Sequence, residues 1–251
     1  MSANAQRYTK TKRQQKLSEK GLMKFPSLQQ LHFELSYIQP ITDNQVRTFN
    51  AFEQGNNLFL HGCAGTGKTF ISIYLALKEI EAGRSKRRKL VIIRTAQSSK
   101  DIGFLPGSEK QKLEVYEAPY KAICSEIYRR DDAYDILKQK GIIEFHSTSF
   151  LRGTTIEDAI ILVDEVQNQR YVELRTVLTR TGDRSRIILC GDTKQDDLTS
   201  ERFKESSGLA DMMKVFNFMG SMHTIQFGID DIVRSGFVRD FIIAENELGL
   251  Y

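Results

Sequence analysis

The chain carries, at positions 62 to 69, the sequence Gly62-Cys63-Ala64-Gly65-Thr66-Gly67-Lys68-Thr69. This stretch matches the pattern G-x-x-x-x-G-K-[ST] without a mismatch. In that pattern, glycine-rich backbone amides close around a β-phosphate, the lysine neutralises β- and γ-phosphate oxygens, and the final hydroxyl ligates Mg²⁺. We therefore expect all eight residues to bind a nucleotide. We also expect Lys68 to assist the reaction and Thr69 to hold the metal.

The residues on either side of this loop fit the same interpretation. Residues 57–60 read Asn-Leu-Phe-Leu, which is typical of a short buried strand, and residues 70–77 read as the start of a helix. A strand, loop and helix in this order place the phosphates at a helix N-terminus, where free N–H groups and the helix dipole favour anions.

A second candidate element lies about a hundred residues further on. The apolar run 159–163 ends in Asp164-Glu165, as expected for a buried parallel strand whose carboxyl end faces a site. Asp164 is predicted to hold Mg²⁺ through Thr69 or through water, and Glu165 to polarise the attacking water as general base. The alternative is a core strand that ends in two solvated acids.

A third apolar run, at 186–190, is followed by Gly191-Asp192-Thr193-Lys194-Gln195. A glutamine just past a core strand, beside the γ-phosphate, can sense whether that phosphate is present, so we assign this role to Gln195. Gly-Asp-Thr is also a common turn sequence, which is the alternative interpretation.

Strands and helices are predicted to alternate along the chain. Further strands are expected at 90–93, 142–145 and 224–227, and residues 110–138 read mainly as helix because apolar positions recur at helical spacing. Alternation of this kind predicts an α/β P-loop NTPase fold, a doubly wound parallel sheet with helices on both faces and the site at the carboxyl ends of the strands.

Length and charge predict one folded domain, residues 25–251, preceded by a basic tail, residues 1–24. The chain has 251 residues, of which 36 are basic and 32 are acidic. Seven of the basic residues and one of the acidic residues lie in the tail. The remaining 29 basic and 31 acidic residues leave the domain at −2, so the formal net charge of +4 for the whole chain comes from the tail, which carries +6. A polar basic arm without apolar periodicity is expected to be disordered and to hold phosphate backbones electrostatically. A solubilising tail is the alternative.

Several classes of protein do not fit this composition. No stretch approaches a transmembrane span, and the N-terminus lacks the apolar core of a signal peptide, so no membrane partner is expected. The three cysteines and four histidines show no metal-type spacing. An odd number of cysteines without a disulfide pattern suits a reducing cytoplasm.

Short motifs elsewhere in the chain resemble the PhoH family of ATPases. They are Gly103-Phe104-Leu105-Pro106-Gly107, Ser149-Phe150-Leu151-Arg152-Gly153-Thr154-Thr155, Val163-Asp164-Glu165-Val166-Gln167-Asn168, Leu178-Thr179-Arg180, Ser207-Gly208-Leu209 and Asp231-Ile232-Val233-Arg234. The resemblance runs from about residue 40 to 248 and implies a fold similar to the first RecA-like motor domain of superfamily 1 helicases. Two positions depart from the family, which usually has proline in place of Cys63 and proline after Arg94, where this chain has Thr95.

The resemblance gives a role to Gln45, in the stretch Pro40-Ile41-Thr42-Asp43-Asn44-Gln45. This stretch looks like the helicase Q-motif, in which the glutamine amide donates to N7 and accepts from N6–H of adenine. The alternative is a helix N-cap at Thr42 or Asp43. Both interpretations are compatible with ATP as the nucleotide.

The helicase likeness implies a nucleic-acid-dependent motor or remodeller that hydrolyses ATP with Mg²⁺ and acts on single-stranded RNA or DNA, RNA being favoured. The alternative is an ATP-dependent switch or scaffold for a protein partner, without unwinding. The resemblance also places Arg234 where an arginine finger is expected. Since the chain has room for one RecA-like domain, we expect a neighbouring subunit to supply the finger, in a homo-oligomer and most simply a ring of six. A surface ion pair is the alternative role for Arg234.

Overall fold

A computed structural model describes residues 34–95, 109–148, 155–192 and 208–249. The basic tail and Gln195 lie outside these residues. The strands of the described part are β1 Asn57–Gly62, β2 Lys89–Arg94, β3 Ile143–Ser147, β4 Ala159–Val163, β5 Arg186–Gly191 and β6 Met222–Phe227. The helices are α1 Asp43–Glu53, α2 Lys68–Ala82, α3 Glu109–Tyr128, α4 Ala133–Gln139, α5 Tyr171–Leu178, α6 Leu209–Phe218 and α7 Phe237–Glu247.

The six strands of the described residues form one sheet in the order β3-β2-β4-β5-β1-β6. Every pairing in it is parallel. Parallel strands have their carboxyl ends at the same edge, so the chain that follows β1, β4 and β5 converges there. The α/β fold class predicted from the sequence is confirmed.

Helices cover both faces of the sheet. Leu60, Leu162 and Ile188 point to one face, where they pack with α1, α2, α3 and α4. Phe59 and Ile161 point to the other face, where they pack with α5 and α6. Side chains alternate along a strand, so the apolar runs read from the sequence supply both layers at once.

The predicted helical region 110–138 is two helices. Helix α3 ends at Tyr128, and Arg129 has φ of +52°, outside the α-helical range. Ser125 Oγ donates to Asp131 Oδ1 at 2.8 Å across this break. Helix α4 then packs back along α3, and its Lys138 is paired with the buried Glu117. Apolar spacing continues through the break, which is why periodicity alone did not reveal it.

Gly62, at the end of β1, is a point of close approach between two strands. Its φ is +115°, and a Cβ on it would lie 2.1 Å from the carbonyl oxygen of Phe227 in β6. The next amide, that of Cys63, donates to this same oxygen at 3.1 Å. Only a residue without a Cβ lets β6 lie so close to the start of the loop.

We predict that Gly62→Ala lowers the free energy of unfolding by more than about 2 kcal/mol, because the unfavourable φ alone costs about 1–2 kcal/mol and the steric clash adds to it. Gly83→Ala is the matched control. Gly83 also has a positive φ, of +60°, but a Cβ there meets nothing within 4 Å. Urea unfolding of both variants measures the difference. Equal losses would contradict the close approach to Phe227.

Candidate nucleotide-binding site

The loop that follows β1 is shaped by glycines and by its own side chains. Gly65 and Gly67 have φ of +71° and +80°, a region that side-chain-bearing residues rarely adopt. Thr66 Oγ1 donates to the carbonyl of Cys63 at 3.0 Å. Helix α2 begins at Lys68 directly after Gly67, so its N-terminus faces the loop as the sequence predicts.

Lys68 is buried, and its side chain is folded against the loop. Its Nζ donates to the carbonyls of Gly62 at 2.9 Å and Cys63 at 2.6 Å. Burial lowers the pKa of Lys68, and the negative charge of Asp192 acts in the opposite direction. A desolvated ammonium group held at this place is a strong partner for an anion.

Thr69 and Asp164 meet at the centre of the site, although 95 residues separate them. Thr69 Oγ1 donates to Asp164 Oδ1 at 2.8 Å, and Asp164 is buried at the end of β4. Burial and the neighbouring Glu165 raise the pKa of Asp164, while hydrogen bonds from Thr69 and Tyr120 oppose the rise. A hydroxyl and a carboxylate are hard oxygen donors, which fit Mg²⁺.

The described residues contain no group of three or more His, Cys, Asp and Glu side chains that could hold a metal ion. Mg²⁺ in phosphoryl-transfer sites is held by one or two protein oxygens together with substrate phosphates. The Thr69–Asp164 pair therefore suits a metal that arrives with its nucleotide.

Glu165 lies beside Asp164 in a left-handed conformation, with φ of +53°, so the two carboxylates project differently. Gln167 Nε2 donates to Glu165 Oε2 at 2.5 Å, and Arg94 Nη2 lies 4.0 Å from Glu165 Oε1. The other end of the Gln167 amide accepts the N–H of Asp192 at 3.0 Å. Gln167 therefore links Glu165 to the end of β5.

Gln45 lies at the phosphate loop, but both ends of its amide bind backbone. Its Nε2 donates to the carbonyl of Thr66 at 3.1 Å, and its Oε1 accepts the N–H of Ile41 at 2.9 Å. Thr42 is the N-cap of α1, and its side chain accepts the N–H of Gln45, which confirms the N-cap interpretation. The contact of Gln45 with adenine stays a prediction.

Arg234 lies against the phosphate loop of its own chain. The N–H of Val233 donates to the carbonyl of Gly65 at 3.0 Å. A Cβ built on Gly65 would lie 2.9 Å from Cγ of Arg234 and 3.3 Å from Ile242 in α7. The sequence analysis assigned Arg234 to a finger supplied by a neighbouring subunit. The structure places Arg234 beside the phosphate loop of its own chain, and its role as a finger stays a prediction.

The buried carboxylate of Asp231 holds this segment in place. Its Oδ2 accepts from Asn44 Nδ2 at 2.7 Å and from the N–H of Gly228 at 2.9 Å. Burial acts to raise the pKa of Asp231, but hydrogen bonds from Asn44, Gly228 and Thr42 lower it below its usual value. Asp231 therefore joins the start of α1 to the segment that carries Arg234.

These elements enclose a cleft of about 730 Å³. Its walls include the predicted residues Gln45, Ala64, Gly65, Thr66, Gly67, Lys68, Thr69, Asp164, Glu165 and Arg234. Gln195 lies outside the described residues, so its position as a γ-phosphate sensor stays a prediction.

In the described part, no helix is both long and apolar enough to cross a membrane.

Four functional candidates were missed by the sequence analysis, namely Arg94, Tyr120, Gln167 and Asp231. Gln167 and Asp231 lie in motifs that the sequence analysis quoted without giving these two residues a role. Arg94 was mentioned only because the residue after it, Thr95, differs from the proline usual in the family. Tyr120 carried no signal, because a tyrosine in an amphipathic helix reads as a core residue.

Comparison with known proteins identifies relatives over most of the chain. A family model described as PhoH-like protein matches residues 37–245. A PhoH-like protein of Bacillus subtilis is 30% identical over 226 residues, which cover 85% of this chain and 69% of the relative. Protein PhoH of Escherichia coli K12 is 32% identical over 194 residues, 76% of this chain and 53% of the relative.

Among solved structures, the large terminase of a thermophilic bacteriophage in complex with ADP is similar over 84% of this chain and 50% of that chain. Its TM-score is 0.47, with 11% sequence identity. The Sulfolobus solfataricus SWI2/SNF2 ATPase core in complex with dsDNA matches 87% of this chain and 60% of that chain, with a TM-score of 0.43 and 15% identity. The matched region is thus only part of the length of each of these proteins.

We predict that Asp231→Ala lowers the free energy of unfolding by about 1–3 kcal/mol, because buried donors lose their acceptor. The exposed neighbour Asp230 supplies the control, Asp230→Ala. The pKa of Asp231 is lower in the folded protein than in the unfolded chain. The carboxylate therefore stabilises the fold at pH values above the unfolded pKa, and this stabilisation is lost as pH falls through the folded pKa. Denaturant unfolding at pH 7 and in acid measures the gap in free energy of unfolding between wild type and Asp231→Ala, and this gap should be smaller in acid. A gap of constant size would count against this role.

Proposed function

The chain belongs to the PhoH-like protein family and has a P-loop NTPase fold, and on that premise we propose that it hydrolyses ATP with Mg²⁺ at the cleft. The observation that carries the proposal is the 2.8 Å contact between Thr69 and Asp164, which joins the phosphate loop to the acidic end of β4. A Gly-rich turn without a nucleotide role would not need a buried carboxylate beside it.

In this proposal, residues 62–69 hold the phosphates of ATP. Backbone N–H groups of the loop and of the first turn of α2 bind phosphate oxygens, and Lys68 neutralises charge on the β- and γ-phosphates. The lysine contributes most as negative charge builds on the bridging oxygen that leaves, since preorganised electrostatics supplies much of the rate in phosphoryl transfer. Gln45 binds the edge of adenine or supports the phosphate loop through its hydrogen bond to the carbonyl of Thr66.

Thr69 and Asp164 are the residues that would hold Mg²⁺. When bound, the ion neutralises charge on the β- and γ-phosphate oxygens and aligns them for displacement. Thr69 offers its hydroxyl oxygen while its proton points to Asp164. Asp164 offers its remaining lone pairs directly or through water.

Glu165 is proposed as the general base. It accepts a proton from a water molecule as the water oxygen bonds to the γ-phosphorus, and the bond between that phosphorus and the β,γ-bridging oxygen breaks. ADP and inorganic phosphate are the products. Gln167 and Arg94 hold the carboxylate from two sides, so its orientation depends on β2 and β5 as well as β4.

Arg234 is proposed to stabilise the transferring phosphate within its own chain, since Val233 and Asp231 hold it on Gly65. An arginine in this role raises turnover by about 10³ to 10⁵. In this proposal the arginine comes from the same chain as the phosphate loop, in place of the neighbouring subunit expected from the sequence. The ring of six is a separate proposal, and so is γ-phosphate sensing by Gln195, which is argued from its place in the sequence just after β5.

The proposed use of hydrolysis is the movement or remodelling of single-stranded nucleic acid, with RNA favoured. The support is the seven-to-one excess of basic residues in 1–24 and the helicase likeness of the motifs. A switch or scaffold that binds a protein partner is the other candidate. Turnover measured with and without single-stranded RNA or DNA distinguishes them, since a motor is stimulated and a switch is not.

We predict that Glu165→Gln keeps Mg·ATP affinity near that of wild type but lowers turnover by about 10² or more, the scale of lost general-base catalysis. Lys68→Ala serves as the reference variant and should lose nucleotide binding itself. Phosphate release and binding of a fluorescent ATP analogue measure the two effects separately. Collapse of affinity in Glu165→Gln would make Glu165 a metal ligand and remove Asp164 from that role.

We predict that deletion of residues 1–24 weakens binding to single-stranded RNA and flattens its salt dependence, because a net six positive charges are removed. Basal ATP turnover without RNA should be unchanged. Fluorescence anisotropy across a salt titration measures both the affinity and the slope. Identical titrations for the two proteins would reduce the tail to a solubility device.

A further inference from the structure

Tyr120 places a hydroxyl group on the carboxylate at the centre of the site. It lies in α3 and is fully buried, with 0% exposure. Its Oη donates to Asp164 Oδ2 at 2.9 Å, while Thr69 donates to the other oxygen, Oδ1, at 2.8 Å. Each carboxylate oxygen of Asp164 therefore has its own hydroxyl donor, one from α2 and one from α3.

Arg94 extends this set of contacts to a third element. Its positive charge acts on both Tyr120 and Asp164. Its guanidinium lies 4.0 Å from Glu165. Arg94, at the end of β2, therefore adds a positive charge beside Glu165, Tyr120 and Asp164.

One turn of α3 faces the cleft. Pro119, the residue before Tyr120, lies inside the helix, where it removes one backbone hydrogen bond and is disfavoured. Pro119, Ala122 and Ile123 line the same cleft as the phosphate loop. The turn of α3 that carries Tyr120 is therefore part of the wall of the nucleotide cleft.

A carboxylate with one donor can rotate about its Cβ–Cγ bond, but two donors on opposite oxygens fix its plane. Groups that orient a metal ligand commonly matter for metal affinity almost as much as the ligand itself. We propose that Tyr120 is a positioning residue for the Mg²⁺ site, fixing the plane of Asp164 so that its remaining lone pairs face the metal. This role rests on the proposed function, because Mg²⁺ is expected at Asp164 only if the cleft binds a nucleotide.

The test is the Mg²⁺ dependence of nucleotide binding, measured with a fluorescent ATP analogue at fixed concentration and increasing Mg²⁺. Tyr120→Phe removes one oxygen atom and keeps the ring. We expect it to raise the Mg²⁺ concentration for half-maximal binding by about tenfold, the lower end of what outer-sphere partners of metals contribute. Binding in excess EDTA should stay at the wild-type level, since the loop and Lys68 are untouched.

Tyr134→Phe is the matched control. Tyr134 is also a fully buried tyrosine, and its hydroxyl donates to the carboxylate Glu117 at 2.6 Å, but in the packing between α3 and α4. It should lose stability without any change in the Mg²⁺ midpoint. An unchanged midpoint in Tyr120→Phe, or an equal shift in Tyr134→Phe, would overturn the proposal.

Two further outcomes keep the test decisive. Should Tyr120→Phe fail to fold, Arg94→Lys replaces the guanidinium beside Tyr120 and Glu165 with a smaller cation, at a residue that is only partly buried. It should shift the midpoint in the same direction, and no shift would reject the role. If the wild-type protein binds no ATP analogue with or without Mg²⁺, the proposed function fails. If the wild type binds with Mg²⁺ dependence and Tyr120→Phe matches it, only the inference about Tyr120 fails.

Discussion

The carboxylate of Asp164 is buried at the carboxyl end of β4, and its two hydroxyl donors come from two other elements. A buried carboxylate without partners is strongly unfavourable, so donors must be brought to it. Thr69 reaches it from α2 and Tyr120 from α3, while β4 itself lies between β2 and β5 in the sheet. The phosphate loop is therefore held to the sheet both by the strand that precedes it and by a hydroxyl at the start of its helix.

The phosphate loop is also restrained from outside, through its carbonyl oxygens. The carbonyl of Gly65 accepts the N–H of Val233, and the carbonyl of Thr66 accepts the amide of Gln45. In a planar trans peptide, the N–H of the next residue points the opposite way. The N–H groups of Thr66 and Gly67 are thus directed away from Val233 and Gln45, as a loop that binds phosphate requires. Val233 and Gln45 can in this way orient loop N–H groups without themselves contacting a phosphate.

The parts of this architecture that were predictable from sequence are those specified by local patterns. The apolar run 159–163 predicts a strand and residues 62–69 predict a phosphate loop, each from adjacent residues alone. Parallel strands have their carboxyl ends at one edge of the sheet, which brings the two elements together. Tyr120 could not be found in this way, because its contact with Asp164 joins positions 44 residues apart and a buried tyrosine is ordinary. The break after Tyr128 was hidden for a similar reason, since a positive φ at Arg129 leaves no mark in the apolar spacing.

Arg234 illustrates a position that the sequence motif and the fold locate by different arguments. The motif pointed to Arg234, but counting domains suggested that only another subunit could deliver it. Asp231 and the N–H of Val233 fold the segment after β6 back onto the loop, and β6 is itself the neighbour of β1, so the distance along the sheet is short. The edge strand β6, beside the strand that precedes the phosphate loop, therefore brings Arg234 to that loop within one chain.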